Sequence, residues 1–424
     1  MRAGFLSFFL IMMLTSLSFA QLFQEPYKEL EGNMLDGGVG FTWIDGQPYT
    51  TLTLAPDISL GKVGVGLYLQ LLFDNNNSFK FRKDEYQGDA GILRAIRYIR
   101  YGHRYDPIYL RIGSLERSTL GNGFLMWNYN NGSNYDKRKI GFEVSFDFGK
   151  AGIETVVGSL TSSSVQGYNV FVRPFRFSSS PIPILSRLRV YGTYVRDNKV
   201  ASGVLLDSTA TLQAYGFGTD LRWLDLPVLK SAIYADFAKI DNFGNGKAIG
   251  INAVIPNVIG IFAVGARFEK RFLNEGFIPN LFGPLYELDR NLGIFTRLQN
   301  TEKTEGYFGE LSGHVLHKIL LVGNFQKLNG IENSGILHLE ATAPNLVPKF
   351  ELRGYYDKTG IQTFDDARTL DNRSVLTAEV GYQLNRYLLL SMIYRWYWIE
   401  QPDNPGVFKP IERVEPRLSF RYRF

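Results

Sequence analysis

The amino-acid sequence predicts an all-β protein, a transmembrane antiparallel β-barrel of about twenty strands, sixteen to twenty-two and even in number. Three observations lead there: period-two alternation along the whole chain, connections that alternate between short and long, and a terminal amphipathic strand that ends in phenylalanine.

The alternation is plain in several segments. Ile140, Phe142, Val144, Phe146 and Phe148 interleave with Gly141, Glu143, Ser145 and Asp147. Phe262, Val264, Ala266 and Phe268 interleave with Ala263, Gly265, Arg267 and Glu269. Successive side chains of a strand point to opposite faces, so each segment has one apolar and one polar face. A soluble sandwich would turn the apolar face to a core, whereas a membrane barrel turns it to lipid.

The connections favour the barrel. Segments of this kind run from 38–44 through 139–148, 168–177 and 259–272 to 415–424. Short turns are expected at Gly61-Lys62, Gly149-Lys150, Pro256-Asn257, Leu316-His317-Lys318 and Asn385-Arg386. Longer polar connections are expected at 74–91, 115–138, 196–210, 273–305, 357–374 and 399–414. If the first strand rises from the periplasm, every short turn falls on that side, and the last strand returns there at Phe424. Short periplasmic turns and long extracellular loops are the pattern of outer-membrane barrels.

Composition agrees. The chain has 24 Tyr and 32 Phe and no cysteine, so no disulfide holds it. Its mean hydropathy is nevertheless only −0.10. Many rings without overall hydrophobicity suit strands half in lipid and half in water, with aromatic girdles at the interfaces. The net charge is +5, from 46 basic and 41 acidic residues, with no basic run, which argues against nucleic acid as a partner. The apolar stretch 248–266 is long enough for a membrane helix. Pro256-Asn257 at its centre, amid Val, Ile and Gly, indicates two strands meeting at a turn instead.

Residues 1–20 read as a secretory signal: Arg2, then apolar Phe5–Leu14, then Ser18-Phe19-Ala20 before a cleavage point near Ala20. Residues 21–36 form a periplasmic lead-in and 37–424 the barrel, so the expected location is a bacterial outer membrane.

The final Leu418-Ser419-Phe420-Arg421-Tyr422-Arg423-Phe424 resembles the C-terminal signature of bacterial outer-membrane β-barrels. That resemblance implies recognition of Phe420, Tyr422 and Phe424 by the barrel-assembly machinery, closure of the last strand on the first, and outer-membrane lipid and lipopolysaccharide as surroundings. Ala55-Pro56-Asp57-Ile58-Ser59-Leu60-Gly61-Lys62 and Leu120-Gly121-Asn122-Gly123-Phe124-Leu125 are similar to segments of porin-like proteins of Bacteroidota and relatives. No substrate follows from that likeness. No plug domain or TonB box is evident.

Charged residues expected on the inner face are Glu143, Asp147, Arg187, Arg189, Asp220, Arg222, Arg267, Glu269, Glu310, Glu340, Glu351, Arg353, Glu379, Arg395, Arg417 and Arg421. Glu154, Asp236 and Arg423 belong with them. An Arg or Lys facing lipid at the midplane costs roughly 2–4 kcal/mol, which a lumen position avoids. Such charges either filter solutes or stiffen the wall as salt bridges. The 115–138 connection carries Asn122, Phe124, Met126, Trp127 and Tyr129. Rings in an exposed loop need a packing partner, so this loop either folds inward as a constriction or packs on its neighbours. The 273–305 connection, with Phe277, Phe282 and Tyr286, is either a second lid or a short surface helix.

Enzymatic chemistry has little to work with. Of four histidines, His103, His314, His317 and His338, only His314 and His338 share a face with Glu310, Ser312 and Glu340. No nucleophile elbow, metal-ligand spacing or phosphate loop accompanies them. The expected function is a porin-like channel for small solutes, without cofactor or metal. The alternatives are an anchor or assembly component and, behind it, an outer-membrane hydrolase.

Overall fold

Alternating residues become the two faces of one antiparallel sheet that closes on itself. The computed structural model describes residues 33–423 apart from 45, 88–90, 105, 133–137, 163, 180–181, 202–208, 257–260, 291–292, 317–318, 345–347, 372 and 402–403. The expected signal, residues 21–32, His317, Asn257 and Phe424 lie outside the described residues.

Among the described residues, 23 hydrogen-bonded segments make twenty wall strands, because three strands are each interrupted once. In chain order they are β1 (Met34–Ile44), β2 (Gln47–Leu54 and Asp57–Leu60), β3 (Val63–Leu67 and Leu69–Asp74), β4 (Lys80–Arg82 and Ile96–Tyr101) and β5 (Ile108–Gly113). Next come β6 (Gly141–Asp147), β7 (Ala151–Val157), β8 (Gln166–Val172), β9 (Leu188–Ala201) and β10 (Thr209–Asp225). The second half has β11 (Lys230–Ile240), β12 (Asn245–Ile255), β13 (Phe262–Leu273), β14 (Thr304–Val315) and β15 (Ile319–Leu328). The wall ends with β16 (Gly335–Pro344), β17 (Phe350–Ile361), β18 (Ser374–Gln383), β19 (Leu388–Gln401) and β20 (Asn404–Arg423). Each strand pairs antiparallel with its sequence neighbour, and β20 pairs with β1 from Met34↔Arg423 to Ile44↔Arg413. Closure leaves no free sheet edge, which a bilayer requires.

The two faces differ as an outward lipid contact demands. On β13, Phe262, Val264, Phe268 and Phe272 are exposed, while Arg267, Glu269 and Arg271 are buried inside. On β20, Leu418, Phe420 and Tyr422 face out while Arg413, Glu415, Arg417, Ser419 and Arg421 face in. No described helix is long and apolar enough to cross a membrane. The apolar 248–266 stretch resolves into the end of β12 and the start of β13.

Several expectations are corrected in detail. Met34–Asp36 belong to β1 and not to the lead-in. The expected strand 168–177 stops at Val172, where Pro174 opens a 3-10 turn (Pro174–Phe177) because its ring fixes φ and supplies no ladder N–H. The expected loops 196–210 and 399–414 are largely strand: β9 and β10 run to Ala201 and from Thr209, and β19 and β20 to Gln401 and from Asn404. Polar composition misled there, since these strand ends turn polar residues such as Arg196 and Glu412 outward while Val200 and Ile411 are buried inside. The 173–187 connection, on the short-turn side, is the long exception to the rhythm.

Closure is fastened by charge. Arg421 Nη2 lies 2.5 Å from Asp36 Oδ2, and Arg421 Nη1 also pairs with Glu351. All three residues are buried. Removing a partner from a buried pair leaves uncompensated charge. Arg421→Ala, which removes the cation held between two buried carboxylates, is expected to lower stability by about 3–5 kcal/mol in urea unfolding from micelles.

Candidate functional site: the lumen and its inward loops

A barrel of twenty strands encloses more space than its own wall side chains fill. Here the loop-side connections fill part of it. Residues 115–131 turn inward after β5, and 274–303 do so after β13, carrying two short helices, α1 (Tyr286–Asp289) and α2 (Ile294–Gln299).

The first loop folds because its residues supply both a turn and a hydrophobic payload. Ser118 and Tyr129 bridge antiparallel, which makes a small hairpin with Gly121 and Gly123 at its tip. Both glycines have positive φ, +59° and +88°, and a Cβ on them would strike the Tyr191 ring at 2.5 Å and the Trp127 ring at 2.4 Å. Only glycine tolerates that backbone so close to a ring. Leu120, Phe124, Leu125, Met126 and Tyr129 are buried against Val156, Val195, Leu212, Ala214, Ala238 and Ile240 of the wall.

The second loop completes the plug. Phe277, Leu281, Phe282, Tyr286, Ile294 and Leu298 join the same cluster. Met126 and Phe282 form a parallel bridge, with Trp127 N donating to Phe282 O at 3.3 Å and Phe282 N to Leu125 O at 3.2 Å. Glu287 on α1 receives the Tyr129 hydroxyl and pairs with Lys139 and, at 3.3 Å, with Arg290. Arg290 in turn reaches Asp197 of β9 at 2.8 Å. The loops therefore lock to each other and to the wall. Phe282→Ala, which empties a fully buried ring site, is expected to cost about 3–5 kcal/mol of loop packing. Hydrogen exchange would report it as faster exchange at the Trp127 and Phe282 amides while the wall ladder keeps its protection.

Many of the inner-face charges hold this plug in place. Glu154 accepts from Gly121 N at 3.0 Å and Asn169 Nδ2 at 2.9 Å. Asp236 receives Asn122 Nδ2 at 3.3 Å and the Tyr191 hydroxyl, and Tyr191 Oη accepts Asn122 N at 3.1 Å. Arg267 donates to Asn122 O at 2.6 Å, pairs with Glu269 at 2.6 Å and lies 4.9 Å from the Trp127 ring centroid. Glu143 receives Ser118 Oγ at 3.0 Å and Arg104 at 2.8 Å. Arg189 pairs with Asp220 at 2.6 Å. At the turn end, Asp147 pairs with Arg173 at 2.8 Å, and Arg187 and Arg222 approach Asp225 at 3.8 and 3.6 Å. Arg187 sits in a 3-10 turn (Leu185–Arg187) and not on a strand. Glu310 is buried on the inner wall of β14.

Between the plug and strands β1, β4 and β16–β20 lies a cavity of about 470 Å³. It extends from Met34 and Arg421 near the turn end to Val375 and Tyr397 near the loop end. Glu340, Arg353, Glu379, Arg395, Arg417 and Arg421 line it. So do Arg94, Arg97, Arg117, Arg138 and Lys139, which sequence reasoning passed over because they lie in or beside irregular connections. In all, nine Lys and Arg face four Asp and Glu (Asp36, Glu116, Glu340 and Glu379). Behind the lining, Asp57, Glu351 and Glu415 pair with Arg97, Arg421 and Arg395, and Arg413 pairs with Glu415. Lys139 likewise pairs with Glu287 and Arg290 with Glu287, so with that layer counted the cations remain in excess, eleven against eight.

No family model matches the chain, and no curated protein matches it. Solved structures do resemble it in fold. OccK2 (OpdF) of Pseudomonas aeruginosa, solved in complex with glucuronate, aligns over 93% of this chain and 98% of its own at 10% identity and a TM-score of 0.35. OpdK of the same organism aligns over 92% and 98% at 10% identity and 0.33. CdiB of Acinetobacter baumannii aligns over 93% and 61% at 8% identity and 0.28.

The described histidines, His103, His314 and His338, sit outside the cavity lining. His338 Nδ1 lies 2.9 Å from Asp357 Oδ1, and the ring packs edge-on against Tyr355. Its Nε2 has no hydrogen-bond partner among the described residues, so no hydroxyl is poised there for attack. His314 is buried on β14, and His103 borders the turn before β5, 3.6 Å from Asp106. Among the described residues no cluster could hold a metal ion.

Proposed function

We propose that this protein is a porin-like channel of a bacterial outer membrane that passes small solutes and favours anions. The observation that carries the reading is the cavity lining, nine cations against four carboxylates in a polar, loop-narrowed lumen. Charges that line a water-filled cleft with low-dielectric walls focus their field into it and raise the local concentration of the opposite charge. The inward loops set the radius, and the arginines set the sign.

Placement follows the same reading. The end that carries Met34 and Arg423 faces the periplasm, the inward loops enter from the cell exterior, and the signal is removed near Ala20. Phe420, stacked on Tyr387 with centroids 5.9 Å apart, and Tyr422, tilted against the same ring at 6.0 Å, support recognition of the last strand by the barrel-assembly machinery. A catalytic role gains no support from His338, whose hydrogen bond to Asp357 reads as wall structure.

Proteoliposome swelling tests the proposal. Vesicles that hold the protein should swell in small organic anions several-fold faster than in organic cations of equal size. Equal rates would remove the preference, and rates no faster than empty vesicles would remove the channel.

A further inference from the structure

We propose that the outer face of β9–β15, at its loop end, binds the phosphorylated headgroup of a membrane lipid. The proposal stands on the outer surface and is independent of the channel reading.

Alternation fixes which side chains face out. Arg196, Lys239, Lys247 and Lys270 each lie between two buried neighbours, and Lys327 follows buried Gln326. All five therefore project outward near the loop end of their strands. One outward carboxylate, Glu305 on β14, accompanies them on these described strands, 3.0 Å from Lys270. Lys239 and Lys247 have no ion-pair partner among the described residues.

Register brings the cations together. Lys239 is opposite Tyr215, Lys247 is opposite Phe237 and Phe272, and Tyr307 stands between Lys270 and Lys327. Lys270 Nζ lies 4.4 Å from the Tyr307 ring centroid. Toward the middle of the barrel the outward residues become apolar: Ile249, Ile251, Phe268, Leu311 and Leu321 are all exposed. Cations interleaved with rings at one level, above an aliphatic surface, match a lipid that presents a phosphorylated headgroup above its acyl chains. Six inter-strand steps of about 4.8 Å spread the belt over roughly 30 Å, enough for more than one phosphate.

Among the described strand residues the belt is confined to one arc. On the far wall, β20 turns Glu412 outward at the same end, between buried Ile411 and Arg413. Snorkelling alone would place lysines around the whole rim. Charge complementarity on one arc points to an anionic headgroup, here that of a diphosphorylated glycolipid.

Native mass spectrometry of the full chain, released from micelles doped with diphosphorylated lipid A or with phosphatidylcholine, tests this. Wild type should retain lipid A, and K239Q/K247Q/K270Q/K327Q should retain about tenfold less. Phosphatidylcholine retention and channel conductance should not change. Millimolar inorganic phosphate should leave lipid A bound, because the acyl chains contribute too. Equal retention of lipid A by variant and wild type would overturn the proposal, as would displacement by free phosphate. If the quadruple variant does not close as a barrel, K239Q/K247Q serves, and the same comparison decides.

Discussion

Deletion of residues 120–130, closed by a short Gly-Ser link, is expected to raise single-channel conductance several-fold. The loop tip reaches across to Tyr191, Asp236 and Arg267, and its side chains belong to the apolar cluster packed on the inner wall. Without it the second loop loses its bridge from Phe282 to Met126 and its Tyr129–Glu287 hydrogen bond. Both loops would then withdraw, and the lumen would approach the bore of an unplugged barrel. Glu154, Asp236 and Arg267 would exchange loop partners for water, so the wall itself should survive. Planar-bilayer recording measures the outcome, and an unchanged conductance would show that current never passes the loop.

The second large effect is on selectivity. Arg138→Glu together with Arg353→Glu changes the lining from nine cations and four carboxylates to seven and six. With the second layer counted, eleven and eight become nine and ten. Anion preference should fall to about none, at nearly unchanged conductance. Arg353 suits this test because it projects into the cavity and pairs with no carboxylate among the described residues. Reversal at Arg421 would instead break the closing pair with Asp36. Retained preference in the double variant would place the selecting charges elsewhere.

The fold was legible because lipid imposes a rule on every strand: Phe142 out and Glu143 in, Phe268 out and Glu269 in. That rule is written locally and survives without knowledge of tertiary contacts. The terminal strand could likewise be read from Leu418, Phe420 and Tyr422. Where strands leave the apolar band the rule lapses, and so β19 and β20 were cut short at 399–414. The loop 115–131 announced itself by its rings, but whether it packed inward or sideways depended on partners far along the chain. Asn122 meets Asp236 and Tyr129 meets Glu287, separations that no local pattern encodes. The same distance effect divided the inner-face charges. Arg189 and Arg353 look alike in sequence, yet one is buried beside the plug with Asp220 as partner and the other opens onto the cavity. Arg94, Arg117, Arg138 and Lys139 escaped notice because irregular backbone has no period by which to assign a face.

The central claim is a water-filled lumen whose fixed charge is positive. Its most direct test is the zero-current potential of the wild-type protein in a planar bilayer under a KCl gradient. A potential displaced toward the chloride equilibrium value, with a chloride-to-potassium permeability ratio several-fold above one, is the result this lining predicts. A potential displaced toward potassium, or a barrel that carries no current, would contradict it.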